Sequence, residues 1–280
     1  MKINKIKELQ LTPLQTTPKL IQHFVSLEGE GGTIGRSALY IRTSTCSLRC
    51  NFCDTKFSIE GNSKYNIVDM TSNEYVELLK QTYSDKQREN ISNLSITGGE
   101  PLLNLNHIQD MILRTKEAFP NITQIIFETN GTMLSEKENC FTLIDQVGCL
   151  VPEIKFMLSI SPKLSGSTSY SNIMSNSDVL EIYKKVILNY QCILDAHFDL
   201  QLKFVHSDKL LPENQTLIDY VLSIPKPIHK NQILIMPFTP NDPLGKDKEV
   251  WQESKNAAAN FAMRNFFRYS PRVHIDRELD

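Results

Sequence analysis

Short runs of β-branched and apolar residues recur along the chain, and longer stretches of helical period separate them. The runs are Ala38–Arg42, Leu94–Thr97, Gln124–Glu128, Ile154–Ser159, Leu200–Val205 and Gln232–Met236, and each is predicted to be a strand. Between them, apolar positions return every third or fourth residue. Leu105, Ile108, Met111 and Ile112 share one helical face, as do Val179, Ile182, Tyr183, Val186 and Tyr190. Thr71-Ser72-Asn73-Glu74 has capping-box spacing and predicts a helix running toward Ser84. Weaker patterns predict helices over Glu136–Val147, Asn214–Leu222 and Val250–Phe266. Leu164–Asp178 is rich in serine and asparagine and is predicted to be a surface loop. No repeat of fixed period is present.

Strand-then-helix units in this order imply a parallel sheet with right-handed crossovers. Six such units fall short of a closed eightfold barrel. The expected fold is therefore α/β, as an open, partial (β/α)6 barrel of modified TIM type or a doubly wound sheet. Both place ligands at the carboxyl ends of the strands. Residues with chemistry to offer fall there. A three-cysteine loop follows the first strand, Thr97-Gly98-Gly99-Glu100-Pro101 the second and Glu128–Thr132 the third. Ser161-Pro162-Lys163 follows the fourth, His206-Ser207-Asp208 the fifth and Pro237 the sixth.

Composition narrows the class. At 280 residues, one domain spanning 1–280 with its core at about 20–276 is expected, long enough to bury a full core. A hydrophobic fraction of 40%, with 11 Gly and 13 Pro, excludes collagen-like and disordered chains. The net charge of −2, from 30 basic and 32 acidic residues, argues against a dedicated nucleic-acid binder. No apolar run reaches about 18 residues, so no membrane span is predicted. The first residues, MKINKIKELQLTPLQ, lack the apolar segment of a secretory signal. A cytoplasmic setting is expected, and there the six cysteines are ligands or free thiols rather than disulfides.

Cys46, Cys50 and Cys53 are spaced C-x3-C-x2-C, whereas Cys140, Cys149 and Cys192 are scattered. Three thiolates in one loop suit a metal centre. An iron–sulfur cube bound this way keeps one iron open for a substrate or cofactor. A zinc site needs a fourth ligand, with His23 the nearest histidine upstream. Ordinary free thiols are the third reading.

The segment CSLRCNFCDT, with Phe52 before the last cysteine, resembles the signature of the radical S-adenosylmethionine (SAM) superfamily, and TGGEP resembles its second motif. The resemblance implies a 4Fe–4S cluster on Cys46, Cys50 and Cys53 that chelates SAM through its open iron. It also implies a SAM site made by Phe52, Cys53, Asp54, Gly99, Glu100, Ser161, Pro162 and Lys163. Glu100 then accepts a charge-assisted bond from the SAM ammonium, and the glycines let backbone approach the ligand.

Several further segments stand in order: Phe24–Gly31 (FVSLEGEG), Gly35, Arg42, Asp54-Thr55, ETNGT, Ser161–Lys163, Leu202–Val205 and Arg272–His274. Together they resemble the 7-carboxy-7-deazaguanine synthase family. This implies a homodimer that contracts the ring of 6-carboxy-5,6,7,8-tetrahydropterin to 7-carboxy-7-deazaguanine with release of ammonia, within 7-deazapurine (queuosine) biosynthesis. It implies SAM used catalytically, magnesium, and a flavodoxin or ferredoxin as reductant. Leu27, Glu28, Gly29, Arg42 and Thr97 then hold the substrate, Arg42 by a bidentate grip on its carboxylate. Thr55 offers magnesium a hard oxygen. Arg272 and His274 carry no assigned role.

The chain departs from that family in three places. Glu28 stands where Gln is usual, Thr43-Ser44-Thr45 precedes the first cysteine where a Gly is common, and Leu164–Asp178 is long. Two other readings share the cysteine loop. A glycyl-radical-enzyme activase acts on a protein backbone and needs neither pterin nor magnesium. A non-catalytic zinc-binding scaffold is colourless, where an iron–sulfur protein is brown.

Overall fold

The computed structural model describes residues 20–50, 53–60, 72–148, 150, 153–164, 176–194, 198–207, 211–226 and 228–278. Phe52, the expected cap at Thr71, Cys149, Asp208 and most of the serine-rich loop lie outside them.

In chain order the elements are β1 (Leu20–Leu27), β2 (Ser37–Thr43), α1 (Phe57–Glu60), α2 (Ser72–Thr82), α3 (Asp85–Asn90), β3 (Asn93–Gly98), α4 (Ile108–Ala118), β4 (Gln124–Thr129) and α5 (Lys137–Gly148). There follow β5 (Lys155–Ile160), α6 (Asn176–Leu194), β6 (Phe198–His206), α7 (Leu211–Ser223), β7 (Ile233–Pro237), α8 (Lys248–Asn265), β8 (Arg268–Tyr269) and α9 (Val273–Asp276). The strands lie side by side in sequence order from β1 to β8. β1 pairs antiparallel with β2, and every later neighbour pairs parallel. A doubly wound sheet reverses its strand order at a switch point. This sheet does not, and the architecture is the open, partial barrel.

All six expected strands form. β1 and β8 were not expected. β1 is an edge strand whose side chains from Gln22 to Ser26 are half-buried on both faces, so it lacks a sharp apolar alternation. β8 is two residues long, too short for any period to register. The helix expected to run toward Ser84 stops at Thr82. Ser84 instead caps α3: its Oγ accepts from Gln87 N at 3.4 Å, and Gln87 Oε1 accepts from Ser84 N at 3.1 Å. The expected serine-rich loop ends sooner than Asp178, because α6 already begins at Asn176.

Alternation along the strands sorts two environments. Leu39, Ile41, Leu94, Ile96, Ile125, Phe127, Leu200, Leu202 and Phe204 join the helices in one apolar core. Their neighbours in sequence point to the barrel interior, and many are polar. Arg42 is in register with Thr97, Glu128 with Ser159, and Ser159 with Gln201.

Candidate active site

The polar interior opens into a cavity of about 560 Å³ at the carboxyl ends of the strands. Cys46, Cys50 and Cys53 share its lining with Leu27, Glu28, Gly29, Arg42, Asp54, Thr55, Thr97, Gly99, Ser161 and Lys163. The tertiary structure thus gathers most of the residues singled out in the sequence.

The cysteine loop leaves β2 under tight constraint. Gly99 N donates to Thr43 O at 3.0 Å, Glu100 N to Thr45 O at 2.8 Å, and Thr45 N to Ser58 O of α1 at 3.1 Å. A Cβ on Gly99 would lie 1.6 Å from Thr45 O. Gly99 therefore admits the backbone of the cysteine loop, and both glycines of TGGEP also line the cavity. Thr45 takes φ +67°, the left-handed region that disfavours a β-branched residue. The family's glycine before the first cysteine matches that conformation. Thr45→Gly is accordingly expected to raise stability by about 1 kcal/mol, read as a higher urea midpoint.

Glu100 stands just beyond the end of β3. It is fully buried and is not part of the cavity lining. Its Oε1 accepts from Leu102 N at 3.0 Å and Thr129 Oγ1 at 2.5 Å, and its Oε2 from Asn130 N at 2.8 Å. Burial raises its pKa, and these donors oppose the rise. Glu100 ties the end of β3 to the end of β4. Pro162 also lies off the cavity wall, between lining residues Ser161 and Lys163.

Arg42 has its guanidinium carbon 5.4 Å from the centroids of both the Phe24 and Phe57 rings. Two aromatic neighbours orient the planar group. Glu28 is 2% exposed and its Oε2 accepts from Tyr40 OH at 2.7 Å. Burial pushes its pKa up to about 7, with Tyr40 opposing the shift. Its Oε1 is buried and finds no hydrogen-bond partner among the described residues.

A chain of charges with the buried Lys203 at its centre crosses the cavity floor. Lys203, 1% exposed, stands between Glu30 Oε1 at 3.1 Å and Glu128 Oε2 at 2.5 Å. Arg272 Nε lies 3.7 Å from the other oxygen of Glu30, and its Nη2 pairs with Asp54 beside the last cysteine. Burial works against the Lys203 ammonium, but Glu128 and Glu30 outweigh it and raise its pKa. Burial likewise opposes the Glu30 carboxylate, but Lys203 and Arg272 hold its pKa well below the usual range. The C-terminal segment is latched on by Val273 N, which donates to Gly29 O at 2.8 Å. His274 packs where a Cβ on Gly29 would be, 2.2 Å from its Nδ1, and burial lowers its pKa.

Glu30, Glu128, Lys203 and Arg272 stood in segments singled out in the sequence but without an assigned role, and Gln201 was missed. The signal for two of them was Leu200-Gln201-Leu202-Lys203-Phe204. Strands of a parallel sheet read as continuous apolar runs where both faces are covered, so polar residues at every second position mark a polar interior. Gln201 uses its side chain twice, accepting from Gly32 N at 2.7 Å and donating to Ser159 Oγ at 2.8 Å.

Cys46, Cys50 and Cys53 line one wall of the cavity, where three thiolates can hold an iron–sulfur cluster with one iron left open. His23 is no fourth ligand, because its Nδ1 lies 2.9 Å from Tyr83 OH, away from the cavity. Cys46 Sγ accepts from Leu48 N at 3.4 Å and Asn130 Nδ2 at 3.8 Å, the kind of N–H···S bond that tunes cluster sulfurs. Burial pushes the Cys50 thiol up to about 11, against the pull of Lys163.

Comparison with known proteins agrees with this geometry. The family model for the radical SAM superfamily matches residues 40–191, more than half of the chain. A 7-carboxy-7-deazaguanine synthase from Clostridium acetobutylicum is 34% identical over 118 residues, 42% of this chain and 48% of that one. The match thus spans about half the length of that relative. One from Halobacterium salinarum is 28% identical over 258 residues, 90% of this chain and 87% of that one. The crystal structure of QueE from Escherichia coli shares the fold at a TM-score of 0.52, with 18% identity, covering 91% of this chain and 93% of that one.

Proposed function

The chain belongs to the radical SAM superfamily, and on that premise we propose that it is a 7-carboxy-7-deazaguanine synthase, a lyase that contracts the ring of 6-carboxy-5,6,7,8-tetrahydropterin and releases ammonia. One observation carries the reading: the three cysteines share a single cavity with Arg42, held between two rings, and with the buried Glu28. The relatives from Clostridium acetobutylicum and Halobacterium salinarum bear that name and support it.

Cys46, Cys50 and Cys53 hold the 4Fe–4S cluster. When bound, the cluster and SAM together supply one-electron, hydrogen-abstraction chemistry. Phe52, Cys53, Asp54, Gly99, Ser161 and Lys163 form the SAM site. Lys163 Nζ donates to Ser161 Oγ at 2.9 Å, so these two present one polar surface. Arg42 grips the pterin carboxylate with its planar fork. Leu27, Glu28, Gly29 and Thr97 line the heterocycle, and His274 behind Gly29 closes that wall. The Lys203 ion chain fixes the carboxylates of the floor, so the substrate meets a preset array of charge.

Thr55 presents a hydroxyl oxygen 3.7 Å from Cys53 Sγ. Its neighbour Asp54 is already paired with Arg272. Thr55 on the cavity wall thus offers a hard oxygen, which fits a magnesium held mainly by the substrate carboxylate and water. The same reading includes a homodimer, a flavodoxin or ferredoxin as reductant, and a cytoplasmic setting.

The test is a strictly anaerobic reaction of the reconstituted protein with SAM, dithionite, magnesium and the pterin, analysed by mass spectrometry. Formation of 7-carboxy-7-deazaguanine that requires SAM is the expected result. Cleavage of SAM with the pterin untouched overturns the substrate. No cleavage despite a full cluster overturns the activity.

A further inference from the structure

Glu28 presents a buried carboxyl with one oxygen committed and one free. Tyr40 OH donates to Oε2 at 2.7 Å, while Oε1 is buried without a partner among the described residues. Its backbone is equally fixed: Glu28 N donates to Arg36 O at 2.7 Å, and Gly35 N to Glu28 O at 2.8 Å. The carboxyl therefore cannot swing away to solvent, and it lines the cavity proposed to hold the heterocycle.

A protonated carboxyl and a carboxamide present the same pair of groups, one donor and one acceptor on a planar fork. An ionised carboxyl is an acceptor only. Resting on the pterin reading above, we propose that Glu28 binds substrate as the neutral acid, its Oε1–H donating to an acceptor on the amino-pyrimidinone edge, so that this chain reaches with Glu the recognition an amide provides, at the expense of alkaline activity.

The surroundings support the neutral form. Burial is the largest influence on Glu28 and brings its pKa to about 7. Glu128 on β4 and Glu30 on the loop after β1 add negative charge that opposes ionisation, whereas the Tyr40 hydroxyl on β2 and Lys203 on β6 favour it. Arg42 on β2, Arg272 and His274 from the C-terminal segment, Lys163, Asp54 and the three cysteines also line the cavity. Arg272 and Lys203 are spoken for by Asp54, Glu30 and Glu128. A carboxyl raised in this way is protonated below about pH 7 and loses its donor as pH rises through that value.

The experiment compares anaerobic turnover of the pterin by the reconstituted wild type and Glu28→Gln across neutral pH. The wild type is expected to lose kcat/KM by about tenfold per pH unit above the Glu28 value, through KM rather than kcat. Glu28→Gln, which keeps a donor at every pH, is expected to lack that limb. Infrared difference spectra of wild type against Glu28→Gln give a readout independent of turnover: a protonated-carboxyl carbonyl band present at low pH and gone at high pH. If Glu28→Gln folds poorly, Tyr40→Phe serves instead, because removing the hydroxyl that favours the charged form moves the limb to higher pH.

Turnover whose alkaline limb is the same in wild type and Glu28→Gln overturns the inference alone. So does a wild type that gains affinity as pH rises while Glu28→Gln is weak throughout, the signature of an ionised acceptor. A wild type that converts no pterin at any pH overturns the functional reading and this inference with it.

Discussion

Cys50→Ala is expected to leave the chain folded, to strip most of its iron and sulfide, and to reduce product formation to the level of an enzyme-free control. Cys50 is half-buried on the cavity wall, and the substitution removes only its sulfur. The loop keeps its backbone bond from Cys53 N to Cys50 O at 3.3 Å. The change in stability of the apoprotein is thus expected to stay within about 1 kcal/mol. The cluster is affected far more. Cys46, Cys50 and Cys53 would be the three thiolates that hold the cluster, and Cys50→Ala would leave it only two. Iron and sulfide analysis, visible absorbance, circular dichroism and the mass-spectrometric assay read these effects separately. A Cys50→Ala protein that retains its cluster and turns over would remove Cys50 from the ligand set.

Lys203→Met is expected to be the most destabilising single change in the cavity, by about 3–5 kcal/mol near neutral pH. Methionine matches the stem but removes the charge that separates Glu30 from Glu128. Glu30 keeps Arg272 at 3.7 Å. Glu128 loses its ion-pair partner among the described residues, with Ser159 Oγ at 3.0 Å the donor that remains. The pH dependence has a definite sign. In the wild type Glu30 is depressed below 4.5, so its contribution is present above that value and is lost on acidification. Glu128 is already raised by burial in the wild type despite Lys203, and without that ammonium it is expected to rise further, so the variant loses additional stability as pH climbs past 4.5. The two stability curves therefore converge in acid and diverge with rising pH. Urea denaturation at about pH 5 and about pH 8 tests this. A constant difference across that range would show that packing, not charge, dominates at Lys203.

The strands were legible because their signal is local. The expected Ala38–Arg42 became Ser37–Thr43, and Gln124–Glu128 became Gln124–Thr129. Once the alternation of strand and helix implied a parallel sheet, the carboxyl-end rule told where chemistry collects, and the cysteine spacing supplied that chemistry. Glu100 shows the limit of a motif. The letters TGGEP read the same whether the carboxylate faces a ligand or, as here, Thr129 and Asn130. Thr45 shows the converse: an odd residue before the first cysteine marked a real backbone constraint, visible only once its φ of +67° was known.

By itself, the sequence determined the order of six strands and the helices between them, the parallel sheet, the thiol triad and the resemblance of its motifs. Each of these depends on residues close in the chain or on a rule that needs no side-chain geometry. Only the tertiary structure decided that Asp54, Arg272, Glu30, Lys203 and Glu128 form one chain of charge, with Asp54 and Arg272 218 positions apart. It alone decided that Glu28 keeps one oxygen free in a buried wall. Periodicity records which face a side chain takes, whereas the pairing of charges depends on how far the sheet curves and which strand ends it brings together.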